Sequence, residues 1–161
     1  MKQLIQIRCK NNKKSQKVAI GSTLFDIFSA FDLNMAYGPV SCKVNNKVEG
    51  LHYRVYNNKD VEFLDMTSPS GSRAYTRTLF FVLCKAVQDI FPNTDVVIDI
   101  PVSKGFYVDV RLGRAVTDAD VQALRHRMQE IIDAKMPIRR YAVPTEEAIA
   151  LFEEKGDVEK V

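Results

Sequence analysis

The sequence predicts an α+β fold in two successive modules, residues 1–66 and 73–161. Three observations predict it. The opening residues alternate apolar and polar positions around a polar turn, as an antiparallel hairpin does. Leu24, Ile27, Phe28 and Phe31 then fall at i, i+3, i+4 and i+7, one apolar stripe of a short helix. Beyond a stretch rich in Ser, Thr, Pro and Gly, helical and strand periods alternate again, and threonines stand where the later helices start.

In the first module Ile5, Ile7 and Cys9 set an inward strand face, and Gln6, Arg8 and Lys10 an outward one. Asn11 to Lys14 is the turn, and Lys17 to Ile20 the returning strand. Thr23 is placed to cap the helix, with Asp26 three residues on as its acidic capping-box partner. Val40 to Val44 is a third strand, Asn45-Asn46 a turn, Val48 the start of a short partner strand, and Val61 to Leu64 a last strand. Two strands, one helix and then short strands is the order of a β-grasp, in which a small ubiquitin-like sheet wraps one helix.

Met66 to Ser72 reads as the join, where Pro69 and Gly71 break regular structure. The second module begins with a helix from Ala74 to Phe91, apolar at Leu79, Val82, Leu83, Ala86, Val87 and Ile90, and stopped by Pro92. Asp95 to Ile100 and Phe106 to Leu112 read as an antiparallel pair, with Pro101 and Gly105 between them. Thr117 with Asp120 caps a helix running to about Ala134, with Val121, Leu124, Met128, Ile131 and Ile132 as its buried stripe. Ile138 to Val143 is predicted as a further strand, and Thr145 as the cap of a last helix turning Ala148, Leu151 and Phe152 inward. Helices on one face of a mostly antiparallel sheet follow from that order.

Composition narrows the function. The apolar share of 46% and charged share of 27% are those of a soluble globular protein. No apolar run has the ~20 residues that a spanning helix needs, and the N-terminus has no signal-peptide pattern, so the expected compartment is the cytoplasm, with no membrane partner. Cys9, Cys42 and Cys84 are an odd, widely spaced set and read as reduced thiols. Residues 1–66 hold ten Lys/Arg against six Asp/Glu, and the remainder thirteen against fourteen. The excess lies in Arg8, Lys10, Lys13, Lys14 and Lys17. Lys10, Lys13 and Lys14 are the candidate nucleic-acid contacts, weighed against a plain solvated hairpin turn.

No Ser/His/Asp or Cys/His constellation and no phosphate-cradling Gly-x-x-x-x-Gly-Lys occurs, so no catalytic residue is assigned. His52 and His126 read as surface residues. Asp95, Asp99 and Asp109 surround the second hairpin; they read as solvent-facing strand positions rather than as a cation site, and no metal ligand is assigned. Arg73, Tyr75 and Arg77 gather near a helix start, where guanidiniums beside backbone amides suit a phosphate or carboxylate. The plainer alternative is that the two arginines are solvated or pair with acids of the first module.

Two family resemblances bear on these residues. "GSTLFDIFSAF" and "CKVNNKVEGLHYRVYNNKDVEFL" resemble a TGS domain, with Val44-Asn45, Val48 and Leu51 at its core-motif positions. "LFFVLCKAVQDIFPNT", "GFYVDVRLGRAVTDADVQALRHRMQEIIDAKMPI" and "VPTEEAIALFEEKG" resemble the editing region of threonyl-tRNA synthetases. In that family a His-x-x-x-His on the first helix helps build the editing site. Here those positions hold Arg77 and Phe81, four residues apart on one helix face. An arginine stays protonated and a phenylalanine offers no lone pair, so neither metal binding nor acid–base editing is available to the pair. The family's accompanying Cys-x-x-x-His falls beyond residue 161.

The run Gly71 to Arg77, leading into "LFFVLCKAV", is similar to a second group, bacterial uridine kinase-like nucleoside kinases. In these a TGS domain and a histidine-less synthetase-like domain precede a P-loop kinase domain. That resemblance implies a non-catalytic regulatory or ligand-binding region. Its partners would be the protein's own C-terminal kinase domain and a nucleotide or RNA ligand, with ATP and Mg used only in that kinase domain. It also implies that the second module is incomplete here, the charged run from Glu153 to Val161 marking a boundary. The alternative is a fragment of a divergent threonyl-tRNA synthetase or tRNA-editing protein.

Overall fold

The computed structural model describes residues 3–103, 105–139 and 141–154. β1 (Leu4–Cys9) and β2 (Ser15–Ala19) form the expected hairpin, with Ile5, Ile7 and Cys9 buried and their neighbours exposed. α1 (Leu24–Phe31) starts on a complete capping box: the Asp26 amide donates to Thr23 Oγ1 at 3.2 Å, and the Thr23 amide to Asp26 Oδ2 at 3.0 Å. β3 (Ser41–Val44) turns through Asn45 and Asn46, both at positive φ, into β4 (Lys47–Glu49). β5 (Lys59–Leu64) then enters the middle of the sheet.

The sheet order is β2-β1-β5-β3-β4, with β1 and β5 parallel and the other neighbours antiparallel. Leu24, Ile27 and Phe31 of α1 meet Ile5, Ile7, Cys9, Cys42, Val61 and Phe63 of the sheet in one buried cluster. Phe28 sits edge-on to Phe63, ring centroids 5.2 Å apart. Val55 also lies in this core, at 1% exposure, although it belongs to the loop before β5. Its amide donates to the Ser22 carbonyl at 3.0 Å and its carbonyl accepts from Gly21, so the loop is sewn to the start of α1.

α2 (Pro69–Ile90) begins earlier than the sequence suggests. Pro69 is its first residue, where a missing N–H costs nothing, and Ser68 is its cap. The reading of Pro69 and Gly71 as breakers is therefore corrected: both lie inside the helix. β6 (Val96–Val102) and β7 (Gly105–Val110) pair antiparallel as a two-stranded ribbon. Pro101 lies within β6, opposite Phe106, and not in the turn. α3 (Asp118–Asp133) carries the predicted Thr117/Asp120 capping box. α4 (Thr145–Glu154) includes Thr145 in its first turn.

Three expectations for this region fail. Ile138, Arg139 and Tyr141 to Val143 form no strand, so the ribbon gains no third neighbour from them. Of the α3 stripe only Leu124 and Ile131 are buried, while Val121 and Ile132 are 50% and 46% exposed. No described residue of α4 is buried, and Leu151 is exposed. The physical reason is shared: a two-stranded ribbon offers too little surface to cover all of these faces. The core between α2 and α3 rests on Val82, Ala86, Val87, Leu124 and Ile131. The predicted boundary from Glu153 to Val161 lies outside the described residues beyond Glu154.

Candidate functional site on the second helix

The start of α2 is locked to the end of β5. Asp65 accepts from Thr67 at its carboxylate, and its carbonyl accepts from the Ser68 hydroxyl at 3.0 Å and the Ser68 amide at 3.3 Å. Ser68 Oγ in turn accepts from the Gly71 amide at 3.1 Å. These bonds pull the first turn of the helix onto the strand end. A Cβ at residue 71 would stand 1.8 Å from the Asp65 carbonyl oxygen, so only glycine fits there. The junction is a packed, hydrogen-bonded corner. It also uses up two of the free amides at the start of α2, those of Ser68 and Gly71.

Arg73 and Arg77 lie further along, one turn apart and on one exposed face. The Arg73 guanidinium donates to Ser70 Oγ at 3.1 Å. The Arg77 side chain makes no ion pair or hydrogen bond among the described residues. Tyr75 stands about 200° around the helix from both arginines, toward the side that carries the buried Gly71 and Val82. The structure thus brings the two arginines together and sets the tyrosine apart from them. Of the helix-start amides, that of Gly71 is taken by Ser68, and Arg77 lies more than a turn beyond them.

Phe81, at 66% exposure, borders a groove of about 380 Å³. Thr78, Val82 and Lys85 of α2 form one wall with it, and Ile131, Ile132 and Lys135 to Ile138 the other. The groove is open and mostly apolar. α2 and α3 are clamped beside it: Arg127 donates from Nε and Nη2 to Asp89 Oδ2 at 2.9 and 2.8 Å, and from Nη1 to Glu130 Oε2 at 2.8 Å. The Lys85 ammonium also pairs with Asp89. Hydrogen bonds from Lys85 and then Arg127 hold the Asp89 carboxyl below the usual carboxylate range. At the end of α3, Lys135 takes a left-handed conformation, and its amide and that of Met136 donate back to Ile132 and Ile131. That turn aims the chain across the groove. It was not legible in the sequence, because lysine replaces the usual glycine signal.

Lys10, Lys13 and Lys14 sit at the β1–β2 turn, all exposed. Lys10 Nζ donates to Asn46 Oδ1 at 3.0 Å, which ties it to the β3–β4 turn. Lys13 is in the left-handed region of that turn. His52 is exposed, and His126 Nδ1 lies 3.3 Å from Glu130 Oε1 one helical turn on. Cys9 and Cys42 are buried thiols, and burial pushes the Cys42 thiol up to about 12. Asp95 and Asp99 are exposed on the ribbon, and Asp109 lies 3.4 Å from Arg111 Nε. No group of His, Cys, Asp and Glu able to hold a metal occurs among the described residues. No described helix is long and apolar enough to cross a membrane.

No family model matches the chain. Curated relatives do. The threonine–tRNA ligase of Natranaerobius thermophilus is 30% identical over 142 residues, covering 88% of this chain and 22% of the ligase. That of Clostridium kluyveri is 28% identical over 158 residues, 98% of this chain and 25% of the ligase. That of Azobacteroides pseudotrichonymphae is 28% identical over 152 residues, 93% of this chain and 24% of the ligase. The chain is similar to threonine–tRNA ligases. It spans about a quarter of the length of these ligases, while they match nearly all of it. These relatives give no support to a nucleoside kinase as the parent protein, and they favour the synthetase alternative.

Proposed function

We propose that this chain is a non-hydrolysing, RNA-facing region of the kind found at the N-terminus of threonyl-tRNA synthetases. It comprises a β-grasp module of the TGS type, residues 1–66, followed by an editing-like module from residue 73 on. The strand order β2-β1-β5-β3-β4 around one helix supports the β-grasp reading. Likeness to the ligases over nearly the whole chain supports the synthetase parent.

One observation carries the verb. On the exposed face of α2, the positions that the resemblance assigns to two histidines hold Arg77 and Phe81. A guanidinium without an acidic partner among the described residues attracts a phosphate and moves no proton at neutral pH. A phenyl ring bordering an open apolar groove supplies a stacking or packing surface. The pair suits holding the end of an RNA chain and is unsuited to cleaving an ester.

Titration of threonine-specific tRNA against the purified chain tests the reading. Arg77→Ala leaves the fold intact, because an exposed arginine adds little stability, and weakens tRNA binding about tenfold, the value of one charge-assisted hydrogen bond. Unchanged affinity in the variant would remove Arg77 from the interface.

A further inference from the structure

On the outer face of the five-stranded sheet, opposite α1, a polar groove of about 310 Å³ runs across β1, β5 and the turns beside them. Gln6, Arg8, Asn45, Asn58, Lys59 and Asp60 line it. Register explains why they meet. Alternation puts Gln6 and Arg8 outward on β1, and the parallel pairing sets Asp60 beside Arg8 on that face, while Lys59 pairs with the inward Ile7 and lines the groove from the start of β5.

Two side-chain amides are fixed here by the backbone. Asn58 Oδ1 accepts from the Gln6 amide at 2.8 Å, and Asn45 Oδ1 accepts from the Asp60 amide at 3.0 Å. With each oxygen held by a backbone N–H, each Nδ2 is left as a donor with no acceptor among the described residues. Arg8 and Lys59 likewise make no ion pair among the described residues, although Asp60 is their neighbour. Lys59 is half-buried, so its charge is less screened than that of a surface lysine. The groove therefore presents two cations and two oriented amide donors against one carboxylate.

We infer that this groove is a phosphate-binding site, taking the phosphate of a nucleotide or of an RNA backbone between Arg8, Lys59, Asn45 and Asn58. It is independent of α2 and of the editing-like resemblance. Phosphate oxygens accept from guanidinium, ammonium and amide N–H together, and Arg supplies the planar fork. The Asp60 carboxylate opposes the anion, which makes the site weak in isolation and gives it a diagnostic sign.

The test uses the whole chain, with amide NMR shifts followed during titration with inorganic phosphate, uridine monophosphate and a short single-stranded RNA. The site predicts saturable shifts at residues 6, 8 and 58–60 with at least one of these. Saturation by the mononucleotide at concentrations like those for RNA identifies a nucleotide site. Saturation by RNA far below the mononucleotide identifies the RNA backbone. Arg8→Ala with Lys59→Ala reduces the affinity at least tenfold and lowers the salt slope of RNA binding by about one per cation. Asp60→Asn tightens phosphate binding severalfold, an effect that a structural role for Asp60 does not produce. Absence of saturable shifts at these residues with all three probes, or an Asp60→Asn variant that binds phosphate no better, would overturn the inference.

Discussion

The two halves of the chain use the same sequence signals and reach different degrees of closure. In the N-terminal region α1, the five-stranded sheet and the loop residue Val55 bury eleven residues together, whereas α2 and α3 bury five, with the ribbon's Val96 and Val110 only partly buried against them, counted among the described residues. Both halves have capped helices and apolar stripes. The difference is the area of sheet available to receive them. Five strands bury Leu24, Ile27 and Phe31 of α1, and two strands leave Ile132 and Val121 of α3 exposed. An apolar stripe tells which side of a helix faces inward, and says nothing of whether anything lies there.

The largest effect that separates the halves belongs to Ile27, fully buried on the inner face of α1. Ile27→Ala removes packing on all sides and costs roughly 2–5 kcal/mol in denaturant unfolding. Gly71→Ala comes next. Its Cβ meets the Asp65 carbonyl, so the first turn of α2 must shift away from β5, at a cost of about 1–3 kcal/mol. If the corner couples the halves, this variant splits a single thermal transition into two, while Ile27→Ala lowers the melting of the first half.

Acid sharpens the comparison on the other side. In the second half the Asp120 carboxyl is held well below the usual carboxylate range, first by the Arg114 guanidinium at 2.7 and 2.9 Å, then by the Thr117 amide and hydroxyl. Because its folded value is depressed, Asp120 contributes stability that is complete above its unfolded value of about 3.9 and is lost as pH falls below it. Denaturation midpoints taken from pH 6 down to pH 3 fall more steeply for the native chain than for Asp120→Asn. Equal slopes would remove the Arg114–Asp120 pair from the acid response. The smallest effect belongs to Ile132→Ala, within about 0.5 kcal/mol, since its side chain is already half in water. A loss above 2 kcal/mol would show that α3 is covered in solution.

Much of this was legible in the chain itself. The capping pairs Thr23/Asp26 and Thr117/Asp120 are read from three-residue spacing, and the structure forms both. The alternation at Ile5, Ile7 and Cys9 gives the first strand its buried face. Pro69 and Gly71 misled because proline and glycine are punctuation in a loop, yet proline opens a helix well and glycine allows close approach. Val55 was missed because one valine in a polar loop has no period. The β-branched positions at Ile138 and Val143 suggested a strand, but a strand needs a partner edge, and local sequence does not specify one.

The candidate sites divide in the same way. The Arg77/Phe81 pair is visible because a fixed i, i+4 spacing places both side chains on one face. The separation of Tyr75 from the arginines follows from the same helical geometry, since residues two apart lie about 200° around a helix. The groove at Arg8 and Lys59 depends on a parallel pairing between segments about fifty residues apart in sequence, and no local pattern announces such a pairing.

The most direct measurement is ester hydrolysis. The purified chain is mixed with mis-acylated threonine-specific tRNA at concentrations where binding is saturated, and release of the amino acid is followed at neutral pH. With Arg77 and Phe81 in place of proton-transferring side chains, release at the rate of a heat-killed control is expected while the tRNA stays bound. Release faster than that control, lost on substitution of Arg77, would contradict this.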